Sequence, residues 1–221
     1  MVRKLDKLKS ISILKFLKLN FLSKQVQREK GVYIIPYKNA VIDLSKDARI
    51  ILQKNNIHIG SHKLRGSKAE TFLRMEGKSQ WNASNGATLC YNSTIEIKDG
   101  GILTSGYFFM NSGSVMLCSK NIEIGNDVWM GRDNTIYDND HHQLLDEQGN
   151  IRNVIKPVKI GDKVWITNHV SILKGVTIGN GSVIAPYSVI RTDINAGTMV
   201  GNASNQTVFN ENIIWSPELV K

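Results

Sequence analysis

The sequence predicts an all-β fold: a parallel solenoid of three-cornered coils, with one protruding loop and a short N-terminal helix. The first observation behind this is a six-residue rhythm. From Ile160 the chain reads IGDKVW, ITNHVS, ILKGVT, IGNGSV, IAPYSV, IRTDIN, so Ile160, Ile166, Ile172, Ile178, Ile184 and Ile190 recur without a miss. Four residues after each stands Val164, Val170, Val176, Ser182, Ser188 or Ile194, all small or β-branched. A period of six matches neither the 3.6-residue helix nor the two-residue alternation of a half-buried strand. It does match a chain that turns a corner every six residues, three corners closing one coil. The isoleucines then stack inside, and short parallel strands pair from coil to coil. Second, the same grammar governs Ile124-Gly125-Asn126-Asp127-Val128-Trp129 and Met130-Gly131-Arg132-Asp133-Asn134-Thr135, followed by Ile136. Third, Asn168, Gly175, Asn180 and Gly181 fall just before the middle of their sixes, where a tight corner favours residues tolerant of φ > 0.

In chain order, residues 1–30 are set apart by charge. They hold nine Lys or Arg (Arg3, Lys4, Lys7, Lys9, Lys15, Lys18, Lys24, Arg28, Lys30) against Asp6 and Glu29, a net of +7 out of the chain's +9. Within them ISILKFLKLNFL, residues 11–22, plots as a helix with Ile13, Phe16, Leu17 and Phe21 on one side and Lys15 and Lys18 opposite. The run is too short and too charged to span a bilayer, and it lacks the cleavage pattern of a secretory leader. Two readings stay open: a terminal helix packed on the body or on a neighbouring subunit, and a helix lying on an anionic membrane surface as a peripheral contact. The basic residues are not interleaved with a nucleic-acid-binding motif, so nucleic acid is not an expected partner.

Residues 31–206 read as the solenoid, loosely spaced at Ile42, Ile50, Ile57, Ile59, Ile95, Ile97 and Ile102 and strict from about Ile122. The rhythm breaks after Ile136 and resumes at Ile160, so residues 137–159 form a polar projecting loop, a place where rigid scaffolds commonly carry function. Residues 207–221 form a tail. A chain of 221 residues with 41% hydrophobic content suits one domain. Cys90 and Cys118 suit small buried hydrophobes in a reducing compartment better than a disulfide framework. The expected setting is cytoplasmic, at the inner face of the membrane if the basic head touches lipid.

The repeats resemble those of the hexapeptide-repeat acyltransferases. Asp140-His141-His142-Gln143-Leu144 resembles the Asp-x-His-Pro-aliphatic loop of that family's sugar-modifying branch, with Gln143 in place of proline. NENIIW, residues 210–215, is similar to the closing segment of capsule polysaccharide O-acetyltransferases. The resemblance implies a left-handed parallel β-helix, an exception to the right-handed rule for parallel crossovers. It also implies a homotrimer with sites between neighbouring subunits, and acetyl-CoA as co-substrate without a metal. His142 becomes the base, His141 the alternative, and Asp140, Asp138 or a backbone carbonyl the group that fixes the ring. Trp165, Thr167, Asn168, Lys174, Ala185, Pro186, Arg191 and Thr192 match positions along the coenzyme groove. Of these, Lys174, Arg191 and Thr192 are placed to meet nucleotide phosphates. Trp165 walls the acceptor channel or packs at a subunit boundary, and Asn111 is a sugar contact or a corner asparagine. The family's tail motif becomes Val200-Gly201-Asn202-Ala203-Ser204-Asn205-Gln206, without Pro-Ala and its following cation.

An imidazole suits this chemistry because an alcohol must lose its proton as it attacks a thioester carbonyl. The expected activity is acetyl transfer to a hydroxyl of a capsular or lipopolysaccharide glycan. The alternatives are a small acceptor (free sugar, amino acid, antibiotic or amino-sugar nucleotide) and a non-catalytic solenoid that binds partners. A metal-dependent hydratase of the same shape needs three converging histidines, and the adjacent pair His141 and His142 does not supply that spacing.

Overall fold

The computed structural model describes residues 10–201 and the backbone of a strand at Ile214–Leu219. Arg3, Lys4, Lys7 and Lys9 of the basic head, and the tail motif at 202–206, lie outside the described residues. Three parallel sheets of seven, eight and seven strands form the faces of a prism, and each sheet takes every third strand of the coiled region. The first face runs from Val26–Arg28 to Thr177–Ile178, the second from Ile34–Pro36 to Met199–Val200, and the third from Ala40–Leu44 to Ser171–Ile172 and Val189–Ile190. The coils thus begin at Val26, upstream of residue 31.

The six-residue rhythm maps directly onto this prism. Ile160 pairs with Ile178, Ile166 with Ile184 and Ile172 with Ile190, each partner eighteen residues on. All six point inward at 0–6% exposure, with Val164, Val170, Val176, Ser182 and Ser188 also buried. Burial of one such isoleucine contributes about 1.5–3 kcal/mol. Upstream the coils are longer and uneven: Ile50 pairs with Trp81, Trp81 with Leu103 and Leu103 with Ile122. The wider interior there holds Trp81 and Phe108, whose ring centroids lie 6.2 Å apart. The Trp81 indole N–H donates to Ser105 Oγ at 3.0 Å. Ile50, Ile57, Ile59, Ile95 and Ile97 are inside as the spacing suggests, but Ile102 is exposed and Leu103 takes the inward place.

The corners divide labour between neighbouring residues. Gly175 and Gly181 adopt φ of +81° and +69°, as a left-handed corner requires. Asn168 and Asn180 do not take that conformation; beside Asn168 it falls on His169, at φ +55°. The asparagines instead bond to the preceding coil. Asn168 Oδ1 accepts from the Arg132 N–H at 2.7 Å and Asn180 Oδ1 from the Asp162 N–H at 2.8 Å. Asp162 Oδ1 in turn accepts from the Asn126 N–H at 2.7 Å. This ladder satisfies corner amides that the sheets leave unpaired.

The N-terminal segment is helical over Ile13–Leu17 and widens over Lys18–Leu22, where the Ser23 N–H reaches back five residues to the Lys18 carbonyl. It caps the first coil. Asn20 Nδ2 donates to the Ile34 carbonyl at 2.7 Å and its Oδ1 accepts from the Ile34 N–H at 2.8 Å, closing the edge of the outermost second-face strand. The side turned to the body is Leu19 and Asn20, joined by Lys15, whose ammonium donates to the Ala40 carbonyl. The simple division into an apolar and a basic side therefore fails, because the wider turn shifts the phase after Leu17. Among the described residues no helix is long and apolar enough to cross a membrane.

Cys90 and Cys118 are free and buried. Burial pushes their thiols up to about 11 and about 12. A thiol pKa raised by folding stabilises the native state fully below the unfolded value and loses that contribution as pH climbs through the folded one. At pH 8 the reactive thiolate is scarce in the native coils. Iodoacetamide at that pH is expected to label neither cysteine in native protein and both in urea; rapid native labelling would contradict a closed core.

Candidate active site

The projecting loop leaves the third face after Thr135–Tyr137 and returns to the first face at Val158–Ile160. It is rooted by Asp138, a fully buried carboxylate. Its Oδ1 accepts from the Ser119 N–H at 2.7 Å, and its Oδ2 from Lys120 at 2.7 Å and Asn121 at 2.8 Å. These three bonds tie its carboxylate to the corner of the preceding coil.

Beyond this root lies a compact network. Asn153, itself buried, donates from Nδ2 to the His142 carbonyl at 2.7 Å and to Asp140 Oδ2 at 3.1 Å. Asn153 Oδ1 accepts from the Leu144 N–H at 2.7 Å. Asp140 also receives the Lys174 ammonium, which reaches it from the next coil. Lys174 is thus engaged with a carboxylate at the flap. His142 opens a short strand, His142–Leu145, that pairs antiparallel with the Ile214–Leu219 backbone. His141 takes a left-handed φ of +69°, and its ring meets Tyr137 edge-on at 6.3 Å. Asn153 has no signal in local spacing, because its role depends on a fold of the loop back onto itself.

The other site residues fall in two further places. Arg191 and Thr192 follow the third-face strand Val189–Ile190, at the same corner as Lys174 and the flap. Thr167, Asn168, Ala185 and Pro186 lie at the corner between the second and third faces, where Thr167 Oγ1 donates to the Ile184 carbonyl at 2.7 Å. Asn111 occupies that corner too, its Oδ1 accepting from the Ser112 N–H at 2.8 Å. There His169 stacks on Tyr187, centroids 4.7 Å apart and planes 8° from parallel. Asp133 Oδ2 lies 3.8 Å from His169 Nε2. Trp165 stands on the second face, half-exposed, directly paired with Trp129, which stacks on Phe109 at 5.2 Å. An open cleft of about 570 Å³ is lined by Asp127, Trp129, Lys163, Val164 and Trp165. Within one chain, then, the flap histidines His141 and His142 and the Trp165 face occupy different sides of the prism. The repeated Val-Trp at the fifth and sixth places of two hexads was the signal for the paired tryptophans.

Known proteins share this repeat. Residues 157–192 match the family described as bacterial transferase hexapeptide, six repeats. A protein of Mycobacterium tuberculosis named as a probable acetyltransferase is 30% identical over 56% of this chain and 42% of its own length. The galactoside O-acetyltransferase of Escherichia coli is 27% identical over 66% of this chain and 68% of its own. A solved hexapeptide-repeat acetyltransferase of Vibrio cholerae, complexed with acetyl coenzyme A, is 31% identical over 58% of this chain and 66% of its own, with a TM-score of 0.40. The chain spans less than half the length of the mycobacterial relative. The coil-by-coil register of the isoleucines and the matched block agree: residues 157–192 carry the repeat of the bacterial hexapeptide transferases.

Proposed function

We propose that the chain is an acetyl-CoA-dependent O-acetyltransferase that modifies a sugar hydroxyl, with His142 as general base. The observation that carries this reading is the clamped flap. Asn153 and Asp138 fix a histidine-bearing strand against stiff coils, and catalysis by a positioned imidazole needs such rigidity. As the acceptor oxygen attacks the thioester carbonyl, the imidazole takes its proton. The tetrahedral oxyanion, held by a backbone N–H donor, collapses with cleavage of the C–S bond. The imidazolium then returns the proton to the departing thiolate, giving an acetyl ester and free coenzyme A. Transfer is direct in a ternary complex and uses no acyl-enzyme.

The acceptor is read as a capsular or lipopolysaccharide glycan, on the resemblance of the flap and of residues 210–215. The name of the Escherichia coli relative supports a sugar hydroxyl and also favours the second reading, a small glycoside acceptor. The winding is read as left-handed, and the assembly as a homotrimer. The separation of the flap corner from Trp165 within one protomer supports sites shared between subunits, where Trp165, Thr167, Asn168, Ala185 and Pro186 of one copy face His142 of another. Arg191 and Thr192 then border the nucleotide end, and Asn111 the acceptor side. The reaction is placed in the cytoplasm, where acetyl-CoA is made.

The test is release of free coenzyme A from acetyl-CoA, followed with a thiol reagent, across acidic polysaccharides, neutral polysaccharides and simple galactosides. Turnover at least tenfold above acceptor-free hydrolysis is expected with a polysaccharide. Equal or better turnover with the galactoside would install the second reading, and no turnover with any sugar would sink both.

A further inference from the structure

We infer that the N-terminal cap is a docking surface for an anionic lipid bilayer. Leu19 and Asn20 face the first coil, and the opposite side of the cap carries Ile13, Leu14, Leu17, Phe21 and Leu22, all 46–82% exposed. Five large apolar side chains on one outward surface exceed what a soluble surface ordinarily leaves uncovered. Around them stand the exposed cations Lys18, Lys24 and Lys30, with Glu29 the one acidic residue between 10 and 30. The Arg28 guanidinium lies over the rings of Phe21, at 5.1 Å, and Tyr33, at 4.6 Å. Apolar residues to enter the acyl boundary, ringed by cations to meet phosphates, are the requirements of an interfacial helix.

Two more observations select lipid over a second copy of the chain. Like-charged caps brought face to face repel, whereas an anionic surface complements them. Between the cap and the first coil an open cavity of about 400 Å³ is lined by Lys15, Lys18, Leu19, Ser23, Gln25, Ile42, Asp43 and Leu44. Its lining sets two lysines against one carboxylate, Asp43, so the charge on this side of the cap is also cationic on balance. A prism standing on its first coil would hold the flap, inserted after the fifth coil, about 20 Å from the headgroups at the inter-coil spacing of parallel strands.

The test is flotation of the full chain with vesicles of pure phosphatidylcholine, or of phosphatidylcholine with phosphatidylglycerol as roughly one third of the lipid. The wild type is expected to float with the anionic vesicles at low salt, at least tenfold more than with neutral ones, and to be released as salt rises. Leu14→Glu/Leu22→Glu changes two of the most exposed side chains. It is expected to lower vesicle binding at least tenfold with an unchanged melting curve. Lys18→Glu/Lys24→Glu is expected to do the same only for anionic vesicles. Absence of wild-type flotation, or unchanged flotation of the leucine variant, overturns the inference. So does a fall in oligomer size of the leucine variant by light scattering without any vesicle binding, which would assign the surface to a second copy.

Discussion

His142→Ala is expected to lower kcat for acetyl transfer by about 10²–10⁴-fold while coenzyme A still binds, the loss typical of removing a positioned general base. The substitution is informative because the flap should survive it. Two bonds that hold this strand run through its main chain: Asn153 grips the His142 carbonyl and the Leu144 N–H. An intact flap with a missing base predicts a fall in kcat at nearly constant affinity for coenzyme A, measured by titration calorimetry. His141→Ala is the comparison. Its ring packs against Tyr137 and its backbone is left-handed, so its loss should cost less than about tenfold. If the two variants exchange these behaviours, His141 is the base; if neither loses turnover, proton abstraction by the flap is wrong.

The strict half of the solenoid was legible because one constraint, an eighteen-residue coil, fixes every isoleucine between Ile160 and Ile190. The upstream half obeys the same physics with coils of unequal length. Once corners swell, as between Ser61 and Thr71, no single period survives in the sequence. Trp81 and Phe108 then fill a wider interior, and a pattern sought in aliphatics alone passes over them. The terminal helix was visible as an apolar run, but its orientation depends on one widened turn at Lys18, which no periodicity announces.

At the candidate site, the flap was legible as a break in rhythm, and the two histidines as its distinctive chemistry. The partners of its carboxylates were not. Lys174 comes from the next coil to meet Asp140, and Asn153 is recruited from the far end of the loop. Such pairings follow from three-dimensional register, which local spacing does not encode. The corner asparagines teach the same lesson: Asn168 has a structural bond to the Arg132 amide whatever it does for coenzyme A.

Asp138→Ala is expected to destabilise the protein by about 2–4 kcal/mol, since a single substitution removes the buried acceptor of three backbone donors at once. Ser119, Lys120 and Asn121 each give an N–H to this carboxylate at 2.7–2.8 Å, in a corner with no exposure at Asp138 to let water substitute. For a chain of this size that corresponds to a fall of roughly 10 °C in melting temperature. Asp138→Asn is the sharper variant: its shape is preserved, but its Nδ2 must face either the Ser119 N–H or the Lys120 and Asn121 pair, so a good part of the loss should remain. Because Asp138 also roots the flap, hydrogen exchange at residues 119–121 and at 140–145 should accelerate together, with transfer activity falling below the melting transition. A variant that melts within about 2 °C of the wild type would show that the carboxylate only decorates the corner. Accelerated exchange confined to 119–121 would separate the anchor from the flap and remove the proposed link between coil stability and the placement of His142.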